Sequence, residues 1–445
     1  MHRSGCGSGA TDACPVPENP AVAPRLFIAP ANASAVTRHN WHATQKEAIA
    51  FGPTEAASSF LPILLARLGA SNLEVGLLST IPNIAGFLLA LPIGHFLQGR
   101  RNVVPWYAWG RLIGQLALAL MGIVLILLPD RRAVPVILAI LAVAAVVGSF
   151  ANFSFYVVMD GLAGLKGRYE LMGRRWGIKA AATAVSLPII GLLLSEVAFP
   201  LNYQLMLLGT AVTALVAFRY TRSFRISDQV VGVVVDRASR LVRARASVRE
   251  VLAERRFLAF VGRHAIFSLG LTMAAPLIPL YYVRELGASD AWIGLIATTH
   301  AASTMAGYFL WREPARRRGA AWVLVPSTFG AALFPGALGL IQNELVVAVL
   351  VGVYAFCLAG IELALFDALL KAVPAGGMVR FAAFDQGAAN LAGMTGPIVG
   401  ALLAGIVGIS GGLMVASLVA LAGAVLFAIS VGIRRSAAAR AAAPP

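Results

Sequence analysis

The chain has 445 residues, of which 59% are hydrophobic and 13% charged, with a mean hydropathy of +0.79 and a formal net charge of +16. This composition excludes an ordinary soluble domain and points to a polypeptide that crosses a membrane many times. Cys6, Cys14 and Cys357 and the six scattered histidines give no disulfide framework and no metal-ligand spacing, and the positive excess is expected to serve topology and anionic lipid headgroups, not nucleic acid.

Residues 1–44 hold no uninterrupted apolar stretch and are rich in Pro, Ala and Ser, so they are expected to form a disordered cytoplasmic tail without a secretory signal, with Trp41 anchoring the start of the first span. Crossing roughly 30 Å of hydrocarbon takes about 20 apolar residues. Twelve segments qualify: 47–68, 74–97, 104–128, 134–158, 176–196, 201–219, 257–281, 290–311, 320–341, 345–370, 382–405 and 409–433. They are rich in Leu, Ala, Val and Gly, lack strand-like alternation and far exceed the roughly ten residues of a barrel strand, so an all-α membrane fold is predicted. Gly52-Pro53 and Pro188 are expected to mark kinks or close helix packing. The organisation read from this pattern is a six-helix bundle over 45–222, a basic linker over 223–256, a second six-helix bundle over 257–434 and a tail over 435–445. Within the linker, Arg237, Arg240, Arg243, Arg245 and Arg249 alternate with Leu241, Val242, Val248 and Leu252, which predicts an amphipathic helix lying on the inner membrane surface.

The two bundles are related. Leu68-Gly69-Ala70-Ser71 followed by Gly76-Leu77 returns as Leu286-Gly287-Ala288-Ser289 followed by Gly294-Leu295, and Pro188-Ile189-Ile190-Gly191 returns as Pro397-Ile398-Val399-Gly400. Two matches in the same order argue for internal duplication. Every second loop is basic: Arg100-Arg101, then Lys166, Arg168, Arg174 and Arg175, then Arg316 to Arg318, then Arg434-Arg435. Lys and Arg are retained on the cytoplasmic side, so both termini are expected inside, with Arg131-Arg132 the main exception to the pattern.

Two six-helix halves joined by a basic cytoplasmic loop resemble the major facilitator superfamily over residues 41–434, in particular bacterial permease branches of unassigned substrate. The family signature after the second span, roughly Gly-x-x-x-Asp-Arg-x-Gly-Arg-Arg, corresponds here to Gly94 through Arg101, with Gln98 in the Asp position beside Arg100 and Arg101. The loop after the eighth span, Trp311 to Gly319, is similar, with Arg316 in the Asp position. Both copies lack the acid, so a cytoplasmic latch would draw on Asp160 and Asp367, at matching inner ends of the fourth and tenth spans, pairing with nearby arginines.

The resemblance implies that spans one, four, seven and ten line a central cavity, where ionisable groups are costly and therefore informative. Glu55 lies on the order of 12 Å from the inner end of the first span at 1.5 Å per residue, and Ser58, Ser59 and Pro62 share its helical face. A carboxylate partly desolvated in such a cavity holds its proton more tightly and can load and release it as the two sides open in turn, which makes Glu55 the leading proton-coupling candidate, against a helix-packing Glu. Glu362 in the tenth span is a second titratable candidate, with Arg263 or His264 as possible partners, and His300 in the eighth is a candidate relay because imidazole titrates near neutral pH. Ser149, Asn152, Tyr156 and Asp160 form a polar stripe on the fourth span that suits substrate lining or interhelical hydrogen bonding. The expected substrate-cavity set is Ser58, Ser59, Asn152, Tyr156, Arg263 and His264. Arg111 with Gln115, and Asp385 with Asn390, are weaker candidates.

No Gly-x-x-x-x-Gly-Lys-Ser/Thr loop, His-Glu-x-x-His or Gly-x-Ser-x-Gly occurs, so neither ATP hydrolysis, an enzyme constellation nor a cofactor is expected. The expectation is a monomeric permease of the bacterial plasma membrane moving a small organic solute by alternating access, coupled to protons. The competing expectation is a membrane receptor or assembly factor that keeps the fold and binds a partner through its tail and linker.

Overall fold

The computed structural model describes residue 29 and residues 33–98, 100, 102–226, 249–372 and 378–442. The amphipathic helix expected in the linker falls mostly outside the described residues, as does Arg101. Among the described residues the regular structure is entirely helical, and ten helices are long and apolar enough to cross a membrane. One of these, Phe384–Val431, runs 48 residues and reverses at Gly408, whose φ of +79° no helix contains, so it supplies the expected eleventh and twelfth spans. The expected eighth span is the helix Asp290–Arg318, whose polar and charged side chains keep it out of the ten. The protein is a multi-pass membrane protein.

A single helical run, Ala133–Glu196, covers the fourth and fifth spans. It cannot be straight. Val134 and Leu187 belong to one apolar cluster, whereas a straight helix would hold them about 80 Å apart, so the chain turns back between the apolar stretches Ala133–Phe155 and Arg174–Glu196.

The first helix, Ala35–Ser59, begins well before the expected residue 47, where the Ser34 hydroxyl accepts the Thr37 amide at 3.1 Å as a cap. Residues 35–44, expected in the tail, therefore belong to the first span, and Trp41 is buried beneath the Arg174 guanidinium, 5.6 Å from the ring centre. The helix breaks at Phe60 and resumes as Leu61–Arg67 with Pro62 in its first turn, where a missing backbone donor costs little. The seventh span breaks in the same place: Arg255–Ala274, then Leu277–Arg284 after Pro276.

Each position of the duplicated Leu-Gly-Ala-Ser run has a local task. Leu68 is buried; Gly69 and Gly287 take φ of +78° and +65°, which end the short helices without the clash a Cβ would bring; Ala70 and Ala288 are buried under the turn. Ser71 and Ser289 then cap the next helix. The Glu74 amide donates to Ser71 Oγ at 3.2 Å while the Glu74 carboxylate accepts the Ser71 amide at 2.5 Å, a reciprocal capping box, and Trp292 donates to Ser289 Oγ at 3.3 Å.

The halves share one core at one end and keep separate cores at the other. The largest apolar cluster joins Leu64, Leu68, Val75, Leu187 and Tyr203 of the first half to Met273, Leu277, Leu280, Ala288 and Ile293 of the second. This is the distal end, away from Ala35. Toward the opposite end, Trp41, Ile93, Leu97, Tyr107 and Val158 cluster within the first half, and Phe257, Phe260, Phe381 and Phe427 within the second. Large apolar side chains such as Phe309 and Ile406, 73% and 81% exposed, stand on the periphery where acyl chains would cover them.

Candidate functional site: a buried charge ladder in the first half

Three helices of the first half bring five charged side chains together inside the bundle. Glu47, Phe51 and Glu55 rise along one face of the first helix at four-residue intervals, and Arg175 and Lys179, also four apart, face them from the fifth span. Arg111 enters from the third span, the helix Val104–Leu127. Glu47 is completely buried and doubly held: Arg111 Nη2 lies 2.7 Å from its Oε1, while Arg175 places Nε 3.1 Å from Oε2 and Nη2 3.2 Å from Oε1. The planar Arg175 fork matches the carboxylate edge, which a lysine could not do. Arg111 also donates to the Tyr107 hydroxyl at 2.9 Å and lies 4.0 Å from the centre of the Phe51 ring.

Above this trio sits a looser pair. Lys179 Nζ lies 2.9 Å from Glu55 Oε1 and 2.7 Å from Oε2, with 24% of the lysine and 37% of the glutamate side chain exposed. Phe51 stands between Glu47 and Glu55 along the helix, with Lys179 5.8 Å and Arg111 4.0 Å from its ring centre. A trio centred on a fully buried carboxylate and a half-open pair have different capacities. Removing a charge from the first strands its partners in low dielectric; the second can trade its partner for water, a proton or a solute group.

The remaining expected residues are dispersed. Ser58 and Ser59 donate to the Glu55 carbonyl at 2.7 and 3.2 Å, so both hydroxyls serve their own helix. Ser149 is buried and donates to the Ala145 carbonyl at 2.8 Å, and Asn152 is exposed; the side chains of Tyr156 and Asp160 lie outside the described residues, as do those of Gln98 and Asp367. Arg100 stacks 4.5 Å over Phe96. Arg316, expected in the latch, instead pairs at 2.8 Å with Glu313 one turn back on its own helix, which also binds Arg317.

In the second half, His264 Nδ1 meets Asp385 Oδ1 at 2.9 Å, linking the seventh and eleventh spans, and Tyr308 donates to the Glu362 carboxylate between the eighth and tenth. Of the two possible partners for Glu362, Arg263 and His264, the histidine pairs with Asp385, where Thr272 and Ala392, hydrogen-bonded at 3.0 Å, hold the seventh and eleventh spans side by side. Arg263 lines a cavity of about 380 Å³ with Ala259, Gly262, Ile266, Leu426, Ile429 and Ser430, against the twelfth span. The His300 ring lies 6.1 Å from that of Tyr354. Among the described residues no group of three His, Cys, Asp or Glu side chains converges as a metal site would require.

Sequence reasoning missed Glu47, Arg175 and Lys179. Glu47 opened the expected first span and Arg175 lay in a basic loop counted for topology. The available signal was the matched four-residue spacing of acids on one span and bases on another.

No protein-family model matches the chain, and no curated protein matches it. Solved structures do. A point mutant of the nucleoside transporter NupG superposes with a TM-score of 0.70 at 11% identity, covering 88% of this chain and 99% of its own. A bacterial homologue of the iron transporter ferroportin, in its inward-facing state, gives 0.68 at 16% identity, covering 89% and 98%. The xylose transporter XylE from E. coli, in a partially occluded inward-open conformation, gives 0.62 at 13% identity, covering 88% and 97%. With two six-span halves, one of them built around a buried charge ladder, the chain has the fold of the major facilitator transporters.

Proposed function

We propose that this protein is a secondary active transporter that moves a small organic solute by alternating access, with proton binding at Glu55 coupled to the solute. The basic loops support cytoplasmic termini, and the Ala-, Gly- and Arg-rich composition with the family resemblance supports a bacterial plasma membrane; on that orientation the shared core is the outward end and the separate cores the inward end, a carrier open to the cytoplasm. The structural neighbours include inward-facing transporters, in keeping with that orientation.

The observation that carries the coupling is the half-open pair of Glu55 and Lys179, with Glu55 set two turns along the first helix from Glu47 of the closed trio. When Glu55 takes a proton it gives up Lys179, and the freed ammonium can hold a polar group of the solute; when the proton leaves, the lysine returns. The pair thereby links two ligands through one competition. Glu47 has no such freedom and holds the helices in place while the pair exchanges.

Purified protein in liposomes with an inward-directed proton gradient, offered nucleosides, pentoses and small organic acids, tests the reading. Gradient-driven uptake that Glu55→Gln uncouples supports it. Uptake independent of both the gradient and Glu55 would remove proton coupling, and ligand-induced thermal stabilisation without any flux would favour the receptor.

A further inference from the structure

The duplicated motifs of the sequence turn out to be the two sides of one contact. Residues of the second Leu-Gly-Ala-Ser run stand 218 positions after their counterparts, Leu286 after Leu68. Arg67, which ends the short helix before the first run, crosses to the second: its Nη2 and Nε lie 2.9 and 3.1 Å from Asp290 Oδ1, and Nη2 lies 3.4 Å from the Ala288 carbonyl. Arg284, which ends the corresponding short helix, crosses the opposite way. It donates to Asn72 Oδ1 at 2.8 Å and to the Ala70 carbonyl. Ala70 and Ala288 are counterparts in the repeat, and so are Asn72 and Asp290. Each arginine therefore clasps the same two positions of the opposite half.

The second pair of repeats meets directly beneath. Gly294 rests on Gly191 and Leu187, a methyl on it falling 3.0 Å from Gly191 Cα, and Gly76, its counterpart, rests on Pro397, a methyl falling 3.0 Å from the Pro397 carbonyl oxygen. Small residues thus let the halves close far enough for the arginines to reach.

The clasped positions are equivalent in the repeat and unequal in charge, while the arginines themselves stand one residue out of register, Glu285 being the counterpart of Arg67. Asp290 is a carboxylate that also accepts the Tyr203 hydroxyl at 2.9 Å, and its side chain is only 8% exposed. Asn72, its counterpart, offers Arg284 a neutral amide oxygen. Both arginines donate charge-assisted hydrogen bonds, but only Arg67 faces an opposite charge, and at a largely buried carboxylate that Coulombic attraction adds to the hydrogen bonds, so the Arg67 clasp dominates. Both arginines ride on short helices, Leu61–Arg67 and Leu277–Arg284, that a break separates from the long helices behind them. Such a segment can swing without moving the helix that bears Glu55.

We infer that the reciprocal arginine clasps are the latch of the distal gate, and that the single carboxylate of Asp290 sets how tightly that gate shuts. This rests on the alternating-access reading, but its test measures the gate and not transport, so a latch that fails and a transporter that fails give different results.

The test places spin labels at Arg132→Cys and Leu340→Cys, exposed positions in distal loops of the two halves, with Cys6, Cys14 and Cys357 replaced by serine or alanine. Pulsed dipolar spectroscopy in lipid nanodiscs then reads the gap. Asp290→Asn, which gives the second half the residue its counterpart has, is expected to add a longer-distance population. Asn72→Asp on top of it, which hands Arg284 the missing carboxylate, is expected to return the distribution toward the parent. Tyr203→Phe, which removes one donor to Asp290 and keeps the ring, provides a milder variant should Asp290→Asn lose its helical circular dichroism, and is expected to shift the distribution the same way. An unchanged distribution in the folded single variants, or a double variant as open as Asp290→Asn alone, overturns the proposal.

Discussion

Arg175 grips both carboxylate oxygens of Glu47, at 3.1 and 3.2 Å, with neither side chain more than 3% exposed. Two spans that lie far apart in sequence are thereby joined through an ion pair that lipid cannot solvate and water does not reach. Arg111 completes the site, so the acid is shared between two cations.

Glu47→Gln is expected to destabilise the protein by about 3–5 kcal/mol, because it leaves Arg111 and Arg175 buried without their counter-charge. Thermal unfolding in detergent checks this. The midpoint should fall well below those of the parent and of Glu55→Gln; equal midpoints for the two glutamate variants would contradict the division between a structural trio and an exchangeable pair.

Glu55→Gln is expected to keep the fold and lose the coupling. Gradient-driven uptake should drop roughly 5- to 150-fold, the range that a coupling free energy of about 1–3 kcal/mol supports, while exchange of solute without a gradient persists. Lys179→Gln should weaken solute binding instead. The pair of measurements separates a proton site from a solute contact.

Gly294→Val should wedge the halves apart where Gly191 and Leu187 now touch. Overpacking of this kind costs about 1–3 kcal/mol, and here the strain can be relieved by opening. The spin-label distance between Arg132→Cys and Leu340→Cys should lengthen. Gly209→Ala, where a methyl would meet nothing within 4 Å, is the control and should leave it unchanged.

Gly69→Ala and Gly287→Ala are each expected to cost about 1–2 kcal/mol, since both positions hold positive φ that an L side chain resists. Chemical denaturation in mixed micelles would register the loss; a neutral Gly69→Ala would mean that the turn relaxes to another conformation.

The spans, the duplication and the two-bundle fold were legible in the sequence because each is written locally. Apolar length is a property of twenty consecutive residues, and Gly69, Ser71 and their counterparts announce a helix stop and a helix cap wherever the chain lies. Where local signals misled, tertiary contacts had intervened: residues 35–44 look like a tail until Trp41 and Glu47 find burial against the third and fifth spans.

Partnership is what only the tertiary structure decided. Glu55 was recognisable as an acid in an apolar helix, but whether it faced a hydroxyl, an arginine or Lys179 depended on how the first and fifth spans cross, and Glu47 gained its importance solely from Arg111 and Arg175. Likewise the repeats were visible as text, yet nothing in the text says that Arg67 reaches Asp290 while Arg284 reaches Asn72. A charge inside a membrane must be matched within a few ångströms, and that distance is a property of helix packing, to which residues hundreds of positions apart contribute equally.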